Sequence, residues 1–418
     1  MDDNGKSYPP PSWSTRVCLV DGGLVENADT AFINAVMSHG KSEGWLCGSE
    51  ASLIRQALEG SNSVAPVASI NCTPAENNFR QILIETIKRD FPQVWEPIPP
   101  GVPTAERPDW AVHHITLKEG AKPKSFRPFR LALERRDALI SLVREMEEQG
   151  WIERVHGDAE GWGSPAFPVP KKVAKVFRLV IDYRYLNGCT EPDSFPLPLI
   201  DNLLIRLGQC RVFSVLDLTH AFHQVAMAPE DSNKTAFVTE NGVWKWLVMP
   251  MGISGAPSRL QRIMSHLLGD EACVFIDDIM IGSSIEPGDT EEMALERHRV
   301  ELGKVLAKLA KFGFHLKIDK CRLFLKEVEF CGHRLSGGSR RPGTSKTAAI
   351  RLWPRPKSIK DVRAFLGLTG YYSCYVKNYA EKAAALSDLL LGNGDSFQWG
   401  EEEEKSFEDL KTAVLVEM

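Results

Sequence analysis

Three carboxylates in this chain stand where short apolar strands end. VFIDDIMIGS, residues 274–283, sets Asp277 and Asp278 between runs of Val, Phe, Ile and Met, and Gly282-Ser283-Ser284 closes the second run. β-Branched and aromatic residues around a polar pair predict a hairpin, which holds two carboxylates at a tight turn. Adjacent carboxylates repel, so both stay ionised only where water or a cation lies between them. RVFSVLDLTHAF, 211–222, reads as a buried strand that delivers Asp217 at its end and then turns into a helix. Two adjacent strand ends bring the three acids together. Phosphoryl transfer by two metal ions needs such a set of hard oxygen ligands, with Mg²⁺ ions about 3.5–4 Å apart, one at the attacking and one at the leaving oxygen. An acidic dipeptide alone carries little weight, because Asp2-Asp3 is another.

Two other stretches bear on that chemistry. LVMPMGISGAPSRLQRIM, 247–264, packs Pro250, Gly252, Gly255 and Pro257 into a sharp loop before a helix that begins near Ser258. Such a loop lines a nucleotide pocket or serves only as a helix entry. Upstream, Lys171, Lys172 and Arg178 flank a strand. They have the charge to grip a triphosphate, and exposed strand cations are equally common.

The elements that must position these groups are legible in part. ALERRDALISLVREMEEQGWI, 132–152, has helical spacing and a stop at Gly150, and VFRLVIDYRYLN, 176–187, alternates as a strand. HRVELGKVLAKLAKFGF, 298–314, is an amphipathic helix, CRLFLKEVEFCGHRLS, 321–336, reads as a second hairpin, and helices dominate over 358–376 and 383–390. Residues 61–77 read as linker, 97–110 as an extended Pro-rich stretch, and 1–75 carry no periodicity that yields chemistry.

Composition narrows the class. At 418 residues, 43% hydrophobic and 25% charged, the chain is ordinary for a globular protein of two to four packed units. No apolar run approaches the length of a membrane span, and the acidic, Pro-rich start MDDNGKSYPPP is unlike a signal peptide. A cytoplasmic setting follows, with the nucleus or a virus-like particle as alternatives. The 9 cysteines form no CxxC pair, which argues against a zinc ribbon and a disulfide framework. The net charge of −5 discourages nucleic-acid binding, yet residues 297–363 hold 18 Lys/Arg against 5 Asp/Glu. That local basic zone either tracks phosphates or is a solvated helix face.

The order SPAFPVPKK, FRLVIDYRYLN, FPLPLID, FSVLDLTHAFHQV, KTAFVT, MPMGISGAPSRLQ, VFIDDIMI, HRVEL, VEFCGHRLS, WPRPKSIKDVRAFLGLTGYY resembles the reverse transcriptase of gypsy-type LTR retrotransposons and, more distantly, retroviruses. The resemblance covers roughly 110–415. It implies an α+β right-hand polymerase with an antiparallel palm sheet packed on helices. Fingers and palm would occupy 110–335, the thumb 336–395 and the start of a connection domain 396–418, after an N-terminal extension and linker over 1–109. Asp217, Asp277 and Asp278 match the metal-binding triad, with the Leu218 carbonyl as a backbone ligand, for two Mg²⁺ ions that Mn²⁺ can replace. Lys171, Arg178, Phe222, Met251 and Gly252 match the dNTP site, with Phe222 as the aromatic gate beneath the sugar. Phe330, Cys331, Gly332 and His333 match the primer grip, and Lys357, Lys360 and Arg363 the thumb cations along the duplex backbone. Trp353 matches a packing residue at the thumb base.

The implied partners are an RNA or DNA template with its primer, dNTPs, and retroelement capsid or other Pol domains, with no membrane. Phe275 and Phe222 replace a usual Tyr, Val173-Ala174-Lys175 stands in place of a DG-type turn, and Cys331 replaces a usual Leu. No metal ligand is lost. The sequence shows no D-T/S-G protease motif and no CCHC knuckle, and it stops where an RNase H domain is expected, so a polymerase fragment is the expectation. A silent nucleic-acid-binding relic is the competing class. An RNA-dependent RNA polymerase is disfavoured, because Ile276 precedes the acid pair where that class has Gly and Phe222 obstructs a ribose hydroxyl.

Overall fold

The apolar run VFSVLD can be buried on both faces only as an inner strand, and a sheet assembles around it. The computed structural model describes residues 74–103, 108–157, 159–170, 176–193, 195–390 and 397–415. Among the described residues nine strands precede residue 326: β1 (Ile152–Arg154), β2 (Ser164–Pro170), β3 (Phe177–Ile181), β4 (Val212–Asp217), β5 (Phe237–Thr239), β6 (Gly242–Trp246), β7 (Cys273–Phe275), β8 (Asp278–Ser283) and β9 (Arg322–Leu325). They form a four-stranded sheet of order β7-β8-β4-β9 and a five-stranded sheet of order β1-β6-β5-β2-β3. The first is antiparallel throughout, as expected of a palm; the second is antiparallel except for its β2–β5 pair.

Helix Glu291–Lys311 packs on β4 and β8. Its Thr290 hydroxyl caps the Met293 N–H, acids fill the first turn and lysines the last, each sign suited to its end of the helix dipole. Ala294, Leu295, His298, Leu302, Val305, Leu306 and Leu309 make its buried stripe at helical period. Each of the larger apolar side chains contributes about 1.5–3 kcal/mol by burial.

Several expectations need correction. The strand over 176–187 ends at Ile181, and Arg184–Cys189 is helical, because Asp182 Oδ1 accepts the Arg184 N–H and turns the chain. The hairpin over 321–336 is two structures: β9 pairs with β4, whereas β10 (Glu327–Phe330), β11 (His333–Ser336) and β12 (Ser339–Pro342) form a separate meander. The helix near Ser258 starts at Ala256, with Pro in its first turn. The linker read to residue 77 gives way at Pro74 to a helix, Pro74–Asp90, whose Leu83 and Ile87 are buried. Within that segment Phe79, Leu83 and Ile87 repeat every four residues, a signal obscured by the Pro-rich sequence that follows.

Two compact units divide between Lys326 and Glu327, nine residues before the expected palm–thumb boundary. In the second unit, helices Ile359–Tyr371, Tyr379–Asp388 and Glu401–Leu415 surround buried Trp353, Phe365, Tyr372 and Phe407. Trp353 lies 6.1 Å from Phe365, ring centre to ring centre, a packing role. Among the described residues no helix is long and apolar enough to cross a membrane.

Candidate functional site

β4 ends at Asp217, β8 begins at Asp278, and the two residues are directly opposed in their ladder. Opposed residues share a face with Cβ atoms about 4.5–5.5 Å apart, so these side chains start as neighbours. Asp277 lies in the two-residue turn between Phe275 and Asp278. The other turn residue, Ile276, has φ +59°. A β-branched residue there is an outlier costing on the order of 1–3 kcal/mol, at a position where a II′ hairpin favours Gly. Gln261, only 1% exposed, holds the turn in place. Its Oε1 accepts the Ile276 N–H at 2.6 Å, and its Nε2 donates to the Val274 carbonyl at 3.2 Å.

Asp217 is fixed through its backbone. Its N–H donates to Cys321 Sγ at 3.3 Å, and its carbonyl accepts the Lys317 N–H at 2.9 Å. Leu218 faces Leu316 in an isolated antiparallel bridge, whose second bond runs from the Thr219 N–H to the His315 carbonyl at 3.0 Å. Those two bonds leave the Leu218 carbonyl pointing out of the bridge. Lys320 Nζ sits 3.2 Å from Asp217 Oδ2. Burial first, and then the charge of Asp217, push the Asp277 carboxyl above its usual range, against a backbone hydrogen bond and Lys320, which lower it. Burial likewise pushes the Cys321 thiol up to about 12, so it stays a neutral thiol.

Among the described residues, the three acids do not form a group with all ligand atoms within 4.8 Å of one another; His114, Glu230 and Asp231 do. The Asp217 carboxylate instead has Lys320 as its ion-pair partner. In the second group Asp231 is already satisfied by Lys234 and by the Ile115 N–H at 2.9 Å, a structural arrangement.

The loop after β6 lies under similar control. Gly252 has φ +94°, a conformation that side chains resist. Asn187 brackets it, donating to the Gly252 carbonyl at 2.9 Å and accepting the Ser254 N–H at 2.9 Å. Phe222 sits half-buried in the 3-10 turn Ala221–Gln224, against the core. The next residue, His223, stacks on Trp246 at 4.9 Å and contacts the Met249 carbonyl at 3.2 Å. Arg178 lies on β3 opposite Val169, and Lys171 lies outside the described residues. Sequence reasoning missed Gln261, Asn187, Gln224 and Lys320. For Gln261 a signal existed, a lone amide on a helix face made of Leu260, Ile263, Met264 and Leu267.

A family profile described as reverse transcriptase (RNA-dependent DNA polymerase) matches residues 169–335, which contain both strand ends, the acid turn and the glycine loop. Over residues 169–335 the chain carries a reverse transcriptase domain similar to those of retrotransposon Pol polyproteins. It is 35% identical over 312 residues to the retrovirus-related Pol polyprotein from transposon 297 of Drosophila melanogaster, covering 73% of this chain and 28% of that protein. With the Pol polyprotein from transposon opus of the same fly, identity is 32% over 78% of this chain and 32% of the relative. The Gag-Pol polyprotein of avian reticuloendotheliosis virus is 32% identical over 79% and 29% of the two chains. The chain thus spans about a third of the length of these curated relatives. The fold matches the foamy viral protease-reverse transcriptase solved in complex with dsDNA, at TM-score 0.65 and 20% identity, over 84% of this chain and 73% of that one. The same viral protein with an RNA/DNA hybrid matches at TM-score 0.64 and 20% identity, over 84% and 47%.

In the second unit, Phe330 pairs with His333 across a turn of Cys331 and Gly332, with φ +48° and +73°. Two positive φ values make this a I′ turn, whose twist suits a hairpin. Tyr371 donates to the Cys331 carbonyl and Tyr372 to the Gly332 carbonyl, the latter at 3.0 Å. His333, buried, contacts the Tyr375 hydroxyl through Nδ1 at 2.8 Å. Lys357, Lys360 and Arg363 are all exposed around the start of helix Ile359–Tyr371. The wider basic zone is less basic in space than in sequence. Arg297, Arg299, Lys308, Lys320, Lys326, Arg334 and Arg355 each pair with an acid.

Proposed function

We propose that the chain extends a primer on an RNA or DNA template, as an RNA-directed and DNA-directed DNA polymerase. The observation that carries this reading is the opposition of Asp217 and Asp278 at strand ends, with Asp277 on the adjoining turn. The donor set suits Mg²⁺, with Mn²⁺ as a substitute: three carboxylates and an outward carbonyl are hard oxygens, and burial first, then the Asp217 charge, raises the Asp277 carboxyl. Asp217, Asp277, Asp278 and the Leu218 carbonyl would hold two ions. When bound, they supply charge stabilisation for in-line phosphoryl transfer.

The remaining roles belong to the chain itself. Arg178, with Lys171, binds the triphosphate; Met251 and Gly252 line the base and sugar, and Phe222 closes the space that a 2′-hydroxyl needs. Residues 330–333 hold the primer end, and Lys357, Lys360 and Arg363 follow the duplex backbone, the second unit serving as thumb from about 336 to 395 and the start of a connection beyond. The foamy viral relatives bound to dsDNA and to an RNA/DNA hybrid support a duplex as the partner of this fold.

Extension of oligo(dT) on poly(rA) with Mg²⁺ tests the reading. Wild type is expected to extend, and Asp277→Asn to lose extension while keeping primer–template affinity, because cationic contacts supply most of that affinity. Full activity in the variant sinks the assignment, and a silent wild type favours a binding relic.

A further inference from the structure

We propose that residues Phe91–Glu96, outside the family match, form a strap that positions the Asp217 turn. This rests on the reading of Asp217 and Leu218 as metal-holding groups. Helix Pro74–Asp90 is anchored on helix Glu291–Lys311 by buried Leu83 and Ile87 and by the Arg80–Glu291 ion pair at 2.9 Å. Phe91 continues the anchor, its ring lying over Gly303 of that helix, 3.7 Å from where a Cβ would sit. Val94, fully buried, turns its carbonyl to the Leu316 N–H at 2.7 Å, and the Glu96 carbonyl meets His315 Nδ1 at 3.0 Å.

His315 and Leu316, together with Lys317, face the Asp217 turn. Leu316 bridges Leu218, and the His315 carbonyl takes the Thr219 N–H. Gln224, 1% exposed, locks the pair: its Oε1 accepts the His315 N–H at 2.7 Å, and its Nε2 donates to the His315 carbonyl at 2.9 Å and to the Thr219 carbonyl at 2.6 Å. The strap, the 315–317 segment and the 217–219 turn are therefore successive layers joined by main-chain bonds. Phe91, Val94 and Gln224 are positioning residues, acting through the backbone that presents the Asp217 side chain and the Leu218 carbonyl.

The experiment compares full-length wild type, Phe91→Ala/Val94→Ala and Gln224→Ala. Both variants are expected to need several-fold more Mg²⁺ for half-maximal primer extension, and to lose kcat by roughly 10–100-fold, because displacements near 1 Å cost on that order. Primer–template Kd should stay within about twofold of wild type. Amide exchange should accelerate at Leu316 and Thr219 and stay unchanged at Val243 in the other sheet. Unchanged exchange at Leu316 and Thr219, an unchanged Mg²⁺ requirement in an active enzyme, or equal acceleration at Val243 overturns the strap. Absence of extension by wild type defeats the polymerase reading alone, and the exchange comparison then decides the strap.

Discussion

Acid should weaken the sheet that carries the acids, through His298. Its Nε2 contacts Ser214 Oγ at 2.8 Å on β4, and its Nδ1 contacts Ser283 Oγ at 2.6 Å on β8. It is fully buried, and burial lowers its pKa from 6.5 to about 3. The unfolded chain therefore binds a proton that the folded chain refuses, so stability falls as pH drops below about 6.5 and this loss levels off near 3. Above 6.5 the contribution is constant. The full shift, about 3.5 units at 1.36 kcal/mol each, corresponds to about 5 kcal/mol, and between pH 7.5 and 5 to about 2 kcal/mol. His298→Gln keeps a donor and an acceptor but removes the titration. It should cost stability at every pH, while its free energy of urea unfolding falls by about 2 kcal/mol less than that of wild type on going from pH 7.5 to 5. His113 and His223, with pKa values lowered by burial to about 3 and about 4, titrate alike in both proteins and cancel. A wild-type-minus-variant difference that stays constant with pH refutes the reasoning.

Gln261→Ala leaves the Ile276 N–H and the Val274 carbonyl without their partner, at about 1–3 kcal/mol each; thermal unfolding should show the loss, and extension should fall more than primer–template binding. Phe222→Val should raise ribonucleotide use relative to deoxynucleotide use, measured as steady-state rCTP and dCTP incorporation opposite template G; an unchanged ratio discards the gate. Lys357→Glu/Arg363→Glu should weaken duplex binding in fluorescence anisotropy and flatten its dependence on NaCl, with no change in sequence preference.

The placement of the acids at strand ends was legible where local chemistry and position coincide. Apolar strands ending in acids marked Asp217, Asp277 and Asp278, because a charge can follow a buried run only where the run reaches an edge or a turn. The glycine loop announced itself through Gly252. What stayed hidden was long-range: Gln261, Asn187 and Gln224 act on backbone groups far along the chain, and an amide gives no sign of which carbonyl it will meet. Charge misled for the same reason, since Lys308 and Arg355 find Glu271 and Glu404 only in the folded state. In IDYRYLN the β-rich composition continued past Ile181, and a single Asp182 turn ended the strand.

The two sheets are threaded through each other along the chain. β2 waits for β5, with Ser164 pairing to Phe237, and β4, laid down between them, waits for β9, with Phe213 pairing to Leu325. During synthesis at about 5–20 residues per second, an interval of this size keeps β4 without its outer neighbour for roughly 5–20 seconds. Its apolar edge is exposed to other nascent chains for that time, and loop closure over such separations makes folding slow once the partner arrives. Neither sheet can be cut out, expressed alone or exchanged between relatives as a cassette, because each is completed by sequence lying beyond strands of the other.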